Sequence, residues 1–180
     1  MSVRCSAFCA VSLDGFLARR DGALDWLKSA EAELPPADTG FDAFMAFVDY
    51  VVLGRNTFDV VLGMSGSWFY SKPVYVLTTR TLDLPEHLKD KVESGRPTPQ
   101  ELIALMERRG AKRLYVDGGR TIRQFLDAGL LDDLVLTRIP VLIGDGISLF
   151  GPRSKDVTLT VESSRVLAGG AVQTTYRVVK

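Results

Sequence analysis

Three stretches of the sequence place hydroxyls and an arginine directly after an apolar run: Val51-Val52-Leu53-Gly54-Arg55-Asn56-Thr57, Val74-Tyr75-Val76-Leu77-Thr78-Thr79-Arg80 and Leu114-Tyr115-Val116-Asp117-Gly118-Gly119-Arg120-Thr121. In the first and third, glycine marks the change from strand to helix. A helix start offers unpaired N–H groups and a partial positive charge, and glycine lets an anion approach the backbone where a Cβ would hold it away. One such turn is ordinary α/β architecture. Two of them would open at the carboxyl edge of one parallel sheet, where ligands of this class bind.

Hydroxyls with a guanidinium at Thr78, Thr79 and Arg80 suit a phosphate monoester, and no acidic residue stands there to receive a free ribose hydroxyl. NADPH is therefore the expected cofactor, ahead of NADH. The bland alternative is that Arg55, Arg80 and Arg120 are solvated loop charges.

Two carboxylates are candidate catalytic groups. Asp14, in Ser12-Leu13-Asp14-Gly15, either braces a turn or orients substrate or water. Asp38, ahead of a helix at 41, is a proton donor if a pocket raises its pKa, and otherwise an exposed residue at a helix start. Trp26, Phe44, Met45, Phe69 and Tyr70 are candidates for an apolar wall against a flat heterocycle, or else plain core.

Positioning these groups requires alternating strands and helices. Val3 to Val11 reads as a strand, and residues 50–53, 74–77 and 114–116 have the continuous apolar character of buried central strands. Phe41, Phe44, Met45 and Val48 share one helical face, and Ile122, Phe125, Leu126 and Leu130 share another. Thr98-Pro99-Gln100-Glu101 is a capping box with proline at the first helical position, and Gly110 closes that helix. Leu134 to Val141 is a further strand, and Val157 to Val166 with Ala171 to Val179 form a hairpin about Gly169-Gly170. The segment from 29 to 40 reads as a loop. The expected fold is a mostly parallel twisted α/β sheet with helices on both faces and an antiparallel C-terminal edge.

Composition narrows the function. A chain of 180 residues with 46% hydrophobic content and no dividing linker is read as a single domain spanning 1–180. Lys plus Arg and Asp plus Glu are both 22, so no net field favours nucleic acid or an anionic membrane. With one histidine, His87, and two cysteines, Cys5 and Cys9, a histidine-based hydrolase triad and a typical zinc site are nearly excluded, and no metal is expected. No apolar stretch approaches a membrane span, so a cytoplasmic, reducing location is the expectation.

Taken together and in order, Ser12-Leu13-Asp14-Gly15, Leu53 to Phe58, Lys72 to Thr79, Val116 to Thr121, Phe125-Leu126 and Leu134 to Pro140 resemble the dihydrofolate reductase superfamily. They resemble more closely the branch related to the reductase domain of bacterial riboflavin-biosynthesis deaminase-reductases. The resemblance implies an eight-stranded dihydrofolate-reductase-like sheet, a homodimer, and NADPH across the carboxyl edge. It implies that Gly54, Arg55, Asn56 and Thr57 with Thr78, Thr79 and Arg80 stand near the adenosine phosphates. It also implies that Val116 leads into Gly118, Gly119, Arg120 and Thr121 at the pyrophosphate, and that Ala10 and Val11 meet the nicotinamide. The motif around Pro36-Ala37-Asp38 does not match a folate reductase, which disfavours dihydrofolate, and the deaminase signature cannot be supplied by one histidine and two cysteines.

The expected function is an NADPH-dependent reductase of a small flat nitrogen heterocycle of pteridine or pyrimidine type, or a similar conjugated acceptor. Asp14 is the first choice to orient substrate or water and Asp38 the second, with Trp26, Phe44 and Met45 lining the substrate. The alternatives are the stand-alone 5-amino-6-(5-phosphoribosylamino)uracil reductase of riboflavin biosynthesis and a non-catalytic NADP-binding sensor.

Overall fold

A computed structural model describes residues 3–27, 39–64 and 68–180. The strands and α-helices with both ends among these residues are β1 (Arg4–Ser12), β2 (Phe16–Ala18), α1 (Phe41–Ala46), β3 (Tyr50–Gly54), α2 (Arg55–Leu62), β4 (Val74–Leu77), β5 (Val92–Gly95), α3 (Pro99–Arg108), β6 (Arg113–Asp117), α4 (Gly119–Asp127), β7 (Asp133–Ile139), β8 (Ile147–Ser148), β9 (Leu159–Val166) and β10 (Val172–Val178). Eight of these strands form one sheet in the order β5-β4-β3-β6-β1-β7-β10-β9, and β2 pairs with β8 in a small second sheet. The first six are parallel, and β10 and β9 close the sheet antiparallel.

The apolar runs at 51–53, 74–76 and 114–116 are buried on both faces of the sheet, as their unbroken hydrophobicity requires. On one face, Leu102 and Met106 of α3 and Ile122 and Phe125 of α4 pack on Cys5, Ala7, Val52, Leu114 and Val116. On the other, Met45 of α1 and Phe58 of α2 pack on Val51, Leu53, Val74, Val76 and Tyr115. Burying a side chain such as Phe125 or Phe58 contributes about 1.5–3 kcal/mol.

α3 begins as its sequence demands: Thr98 Oγ1 accepts the Glu101 N–H while the Glu101 carboxylate accepts the Thr98 N–H at 2.8 Å. The C-terminal hairpin turns through Gly169 and Gly170 at φ 67° and 75°. Strands β2, β5 and β8 carry no apolar run long enough to announce them. They form because neighbours supply their pairing, as when Val74–Leu77 templates Val92–Gly95.

Candidate active site

The sheet opens at its carboxyl edge between β1 and β6. Their ladder runs from Arg4↔Arg113 to Ser6↔Tyr115 and stops there. Beyond it, β6 continues beside β3 to Asp117, and β1 continues beside β7 to Ser12. Past the last rung, Tyr115 reaches across and its hydroxyl donates to the Phe8 carbonyl at 2.9 Å. The split lies where the chain's connections change direction across the sheet, the place where ligands of open α/β sheets bind.

Asp117 stands at this opening, half-buried at the end of β6. Its carboxylate accepts the Tyr70 hydroxyl at 2.5 Å and the Gly118 N–H at 2.7 Å. Burial pushes the carboxyl pKa up, against the lowering effect of the hydrogen bonds from Tyr70 and Gly118. Burial, with the Asp117 charge beside it, holds the Tyr70 phenol far above its ordinary value, so the phenol keeps its proton. The Cys9 thiol is raised in the same way, which removes it as a nucleophile.

Aromatic rings surround the pair. Phe8 lies 5.3 Å from Phe41 and 5.2 Å from Phe44, Phe44 meets Tyr115 edge-on at 5.2 Å, and Phe69 meets both Phe41 and Tyr70. Phe69 is more than half exposed, at 55%, and so forms a rim to this wall.

The two glycine turns pack against each other. A Cβ on Gly54 would stand 3.3 Å from Thr121 Oγ1, and one on Gly118 would fall on Thr57 Oγ1. Each turn thus sets its threonine against the glycine of the other. Gly118 also needs its positive φ of 84°. Gly119 is closely approached as well: a Cβ there would stand 2.5 Å from Leu17 Cδ1, so the leucine end would have to shift. These glycines serve close packing of the turns, whatever they also offer an anion.

Arginines occupy the same edge. Arg55 Nε donates to both Asp59 carboxylate oxygens, at 2.7 and 2.9 Å, and its Nη1 reaches the Thr81 carbonyl at 3.3 Å. Thr78 Oγ1 accepts the Arg80 N–H at 3.0 Å, and the Thr78 N–H donates to the Gly95 carbonyl at 2.7 Å. The ends of β4 and β5 are thereby joined, with exposed Arg80 beyond one and exposed Arg96 beyond the other. Arg120 is exposed at the start of α4.

The remaining sequence candidates are placed as follows. Asp14 is exposed and accepts the Ser12 hydroxyl at 2.5 Å and the N–H groups of Ile143 and Gly144 at 3.1 and 2.8 Å. The Ser12 hydrogen bond, then those of Gly144 and Ile143, hold its carboxyl below the ordinary aspartate range. Asp38 lies outside the described residues. Ala10 pairs with Thr137 and Val11 with Arg138 on the β7 side of the opening. Met45 and Trp26, at 6% and 5% exposure, are buried in hydrophobic clusters, while Phe44 is half-buried among the rings. Asn56 and Thr79 are both exposed on their strand-end turns.

Sequence reasoning placed an acidic residue at Asp117 but did not make it a proton donor, and it did not single out Tyr115, Phe8 or Arg96. The acidic residue immediately before Gly118 was a usable signal. The meeting of Tyr70 with Asp117, 47 residues apart, had none. Among the described residues, no cluster of three or more His, Cys, Asp or Glu side chains has metal-binding geometry, and no helix is long and apolar enough to cross a membrane.

Comparison with known proteins places this arrangement. The uncharacterized protein YwjB of Bacillus subtilis is 31% identical over 94% of both chains. A solved structure from Shewanella sp. PV-4, whose name links it to riboflavin biosynthesis, is 40% identical, covers 100% of both chains and superposes with a TM-score of 0.90. Dihydrofolate reductase HdrB of Haloferax volcanii is 31% identical over 72% of this chain and 62% of its own. The model of the RibD C-terminal domain matches residues 5–173, and this chain belongs to that family of reductase-like domains with a dihydrofolate-reductase-like fold.

Proposed function

We propose that this protein is an NADPH-dependent reductase that delivers hydride to a small flat nitrogen heterocycle of pyrimidine or pteridine type. One observation carries the reading: the opening between β1 and β6 adjoins the Asp117–Tyr70 pair, with two glycine turns and exposed arginines on the same carboxyl edge. The residues suit the cofactor. The backbone at Ala10, Val11 and Val116 borders the opening, and the starts of α2 (Gly54, Arg55, Asn56, Thr57) and α4 (Gly118, Gly119, Arg120, Thr121) offer N–H groups and hydroxyls to phosphates. Thr78, Thr79, Arg80 and Arg96 suit a phosphate monoester.

When bound, NADPH supplies the hydride. The chain supplies the rest: Phe8, Phe41, Phe44 and Phe69 hold a flat ring and exclude water, and the Asp117 carboxyl is the group that passes a proton to the atom beside the one reduced. Tyr70, hydrogen-bonded to that carboxyl, keeps it in place. Asp14 acts from the loop between β1 and β2 by holding the site's edge, and Asp38 is a second carboxyl for the acceptor.

The second reading is the 5-amino-6-(5-phosphoribosylamino)uracil reductase step of riboflavin biosynthesis, supported by the match to the RibD C-terminal domain. A homodimer is part of the proposal, supported by the open edge of β9 with Val161 and Val166 exposed at 57% and 73%. The experiment is titration with NADPH and NADH, followed by NADPH oxidation with the phosphoribosylamino-pyrimidine and with dihydrofolate. Turnover of the pyrimidine alone supports the second reading, and binding of neither nucleotide overturns both.

A further inference from the structure

Gln173 lies on β10, two strands from the opening, and is 6% exposed. It shares a row across the sheet with Ala10 of β1, Thr137 of β7 and Arg165 of β9. Its amide nitrogen donates to the Thr39 carbonyl at 2.9 Å and to Thr137 Oγ1 at 3.0 Å. Its amide oxygen accepts Arg165 Nε at 3.0 Å and Nη2 at 2.7 Å. All four hydrogen-bonding positions of the side chain are used, which fixes the amide's orientation.

Thr39 is the residue that launches α1. Its Oγ1 accepts the Phe41 N–H at 3.3 Å, and Gly40, at φ 72°, caps α1 with no side-chain hydrogen bond. α1 is six residues long, too short to hold itself in place without tertiary support. It carries Phe41 and Phe44, which pack on Phe8 and Tyr115 beside the opening. Gly40 has no room to spare, since a Cβ there would stand 3.2 Å from Arg165 Nη2.

We propose that Gln173 is a positioning residue: through Thr39 it sets where Phe41 and Phe44 stand, so that the C-terminal hairpin tunes the fit of the acceptor ring. The inference rests on the reductase reading above and extends it to a part of the fold that touches neither phosphate turn. It makes the antiparallel edge a determinant of acceptor preference, separate from the determinants of cofactor binding.

The test is Gln173→Glu, which turns both donors into acceptors facing the Thr39 carbonyl. Gln173→Met, uncharged and of similar volume, serves if glutamate unfolds the chain. Amide hydrogen exchange at Phe41 and Phe44 is expected to quicken about tenfold. KM for whichever of the phosphoribosylamino-pyrimidine and dihydrofolate the wild type reduces is expected to rise about tenfold, with kcat and the NADPH Kd within about twofold, the size of one lost hydrogen bond. Unchanged KM in a variant whose wild type turns over overturns this inference alone, as does a joint fall in kcat and NADPH affinity. A wild type that oxidises NADPH with neither acceptor overturns the reductase reading for these acceptors, and this inference with it.

Discussion

The hydroxyl-bearing end of Thr57 occupies the space that a Cβ on Gly118 would need. The turn after β3 and the turn after β6 are therefore one packed unit, with Thr121 set against Gly54 in the reciprocal contact. Flexibility in one turn cannot be separated from the position of the other.

This contact predicts a large effect from one methyl group. Gly118→Ala combines a strained positive φ with overpacking against Thr57, and should cost about 2–4 kcal/mol of stability by urea unfolding. Thr57→Ala in the same chain should recover about 1 kcal/mol or more of that loss. Strictly additive losses would show that the two turns do not interact.

Asp117 predicts a pH dependence of definite sign. Its carboxyl pKa is raised by folding, so the folded protein holds the proton more tightly than the unfolded chain. Stability contributed by this group is then greatest in acid, and falls as pH rises from the ordinary aspartate value of about 3.9 through the raised folded value. Asp117→Asn should abolish that part of the slope in unfolding curves collected across pH. If Asp117 is the acid, the same variant should slow NADPH oxidation by about 10²–10⁴-fold with little change in NADPH affinity.

The strand-end arginines should divide into two kinds. Arg55 is engaged by Asp59 and the Thr81 carbonyl, so Arg55→Ala should lower the unfolding midpoint as well as weakening nucleotide. Arg80→Ala and Arg96→Ala should each weaken NADPH about tenfold and NADH less than about twofold, as loss of a charge-assisted phosphate contact would. Parallel losses for both nucleotides would exclude a 2′-phosphate site there.

Asp14 joins two loops through the Ile143 and Gly144 N–H groups. Its carboxyl is held below the ordinary range, so its contribution is present above the ordinary aspartate value and is lost as pH falls through the folded value. Asp14→Ala should lower the thermal midpoint at neutral pH and have a vanishing effect in strong acid. An equal effect at both pH values would mean that the carboxylate charge plays no part.

The layout of these groups was legible in the sequence to different degrees. The buried strands at 50–53, 74–77 and 114–116, the capped helix from Pro99 and the C-terminal hairpin all appear, because continuous apolar runs, capping residues and paired glycines act over a few residues. The glycine turns were legible as turns. That Gly118 and Gly119 pack against Thr57 and Leu17 was not, since those neighbours lie about 60 and 100 residues away in a chain folded by long-range packing.

What the sequence determined by itself was local: which segments are strands or helices, and that acid, glycine and arginine would sit together after Val116. Where β1 and β6 part, how Tyr70 reaches Asp117, and how Gln173 holds the start of α1 were decided only by tertiary structure. The physical reason is that a strand's pairing partner, a carboxylate's burial and an amide's hydrogen-bond partners are properties of the assembled sheet. Side chains far apart along the chain share those features only once the sheet has placed them side by side.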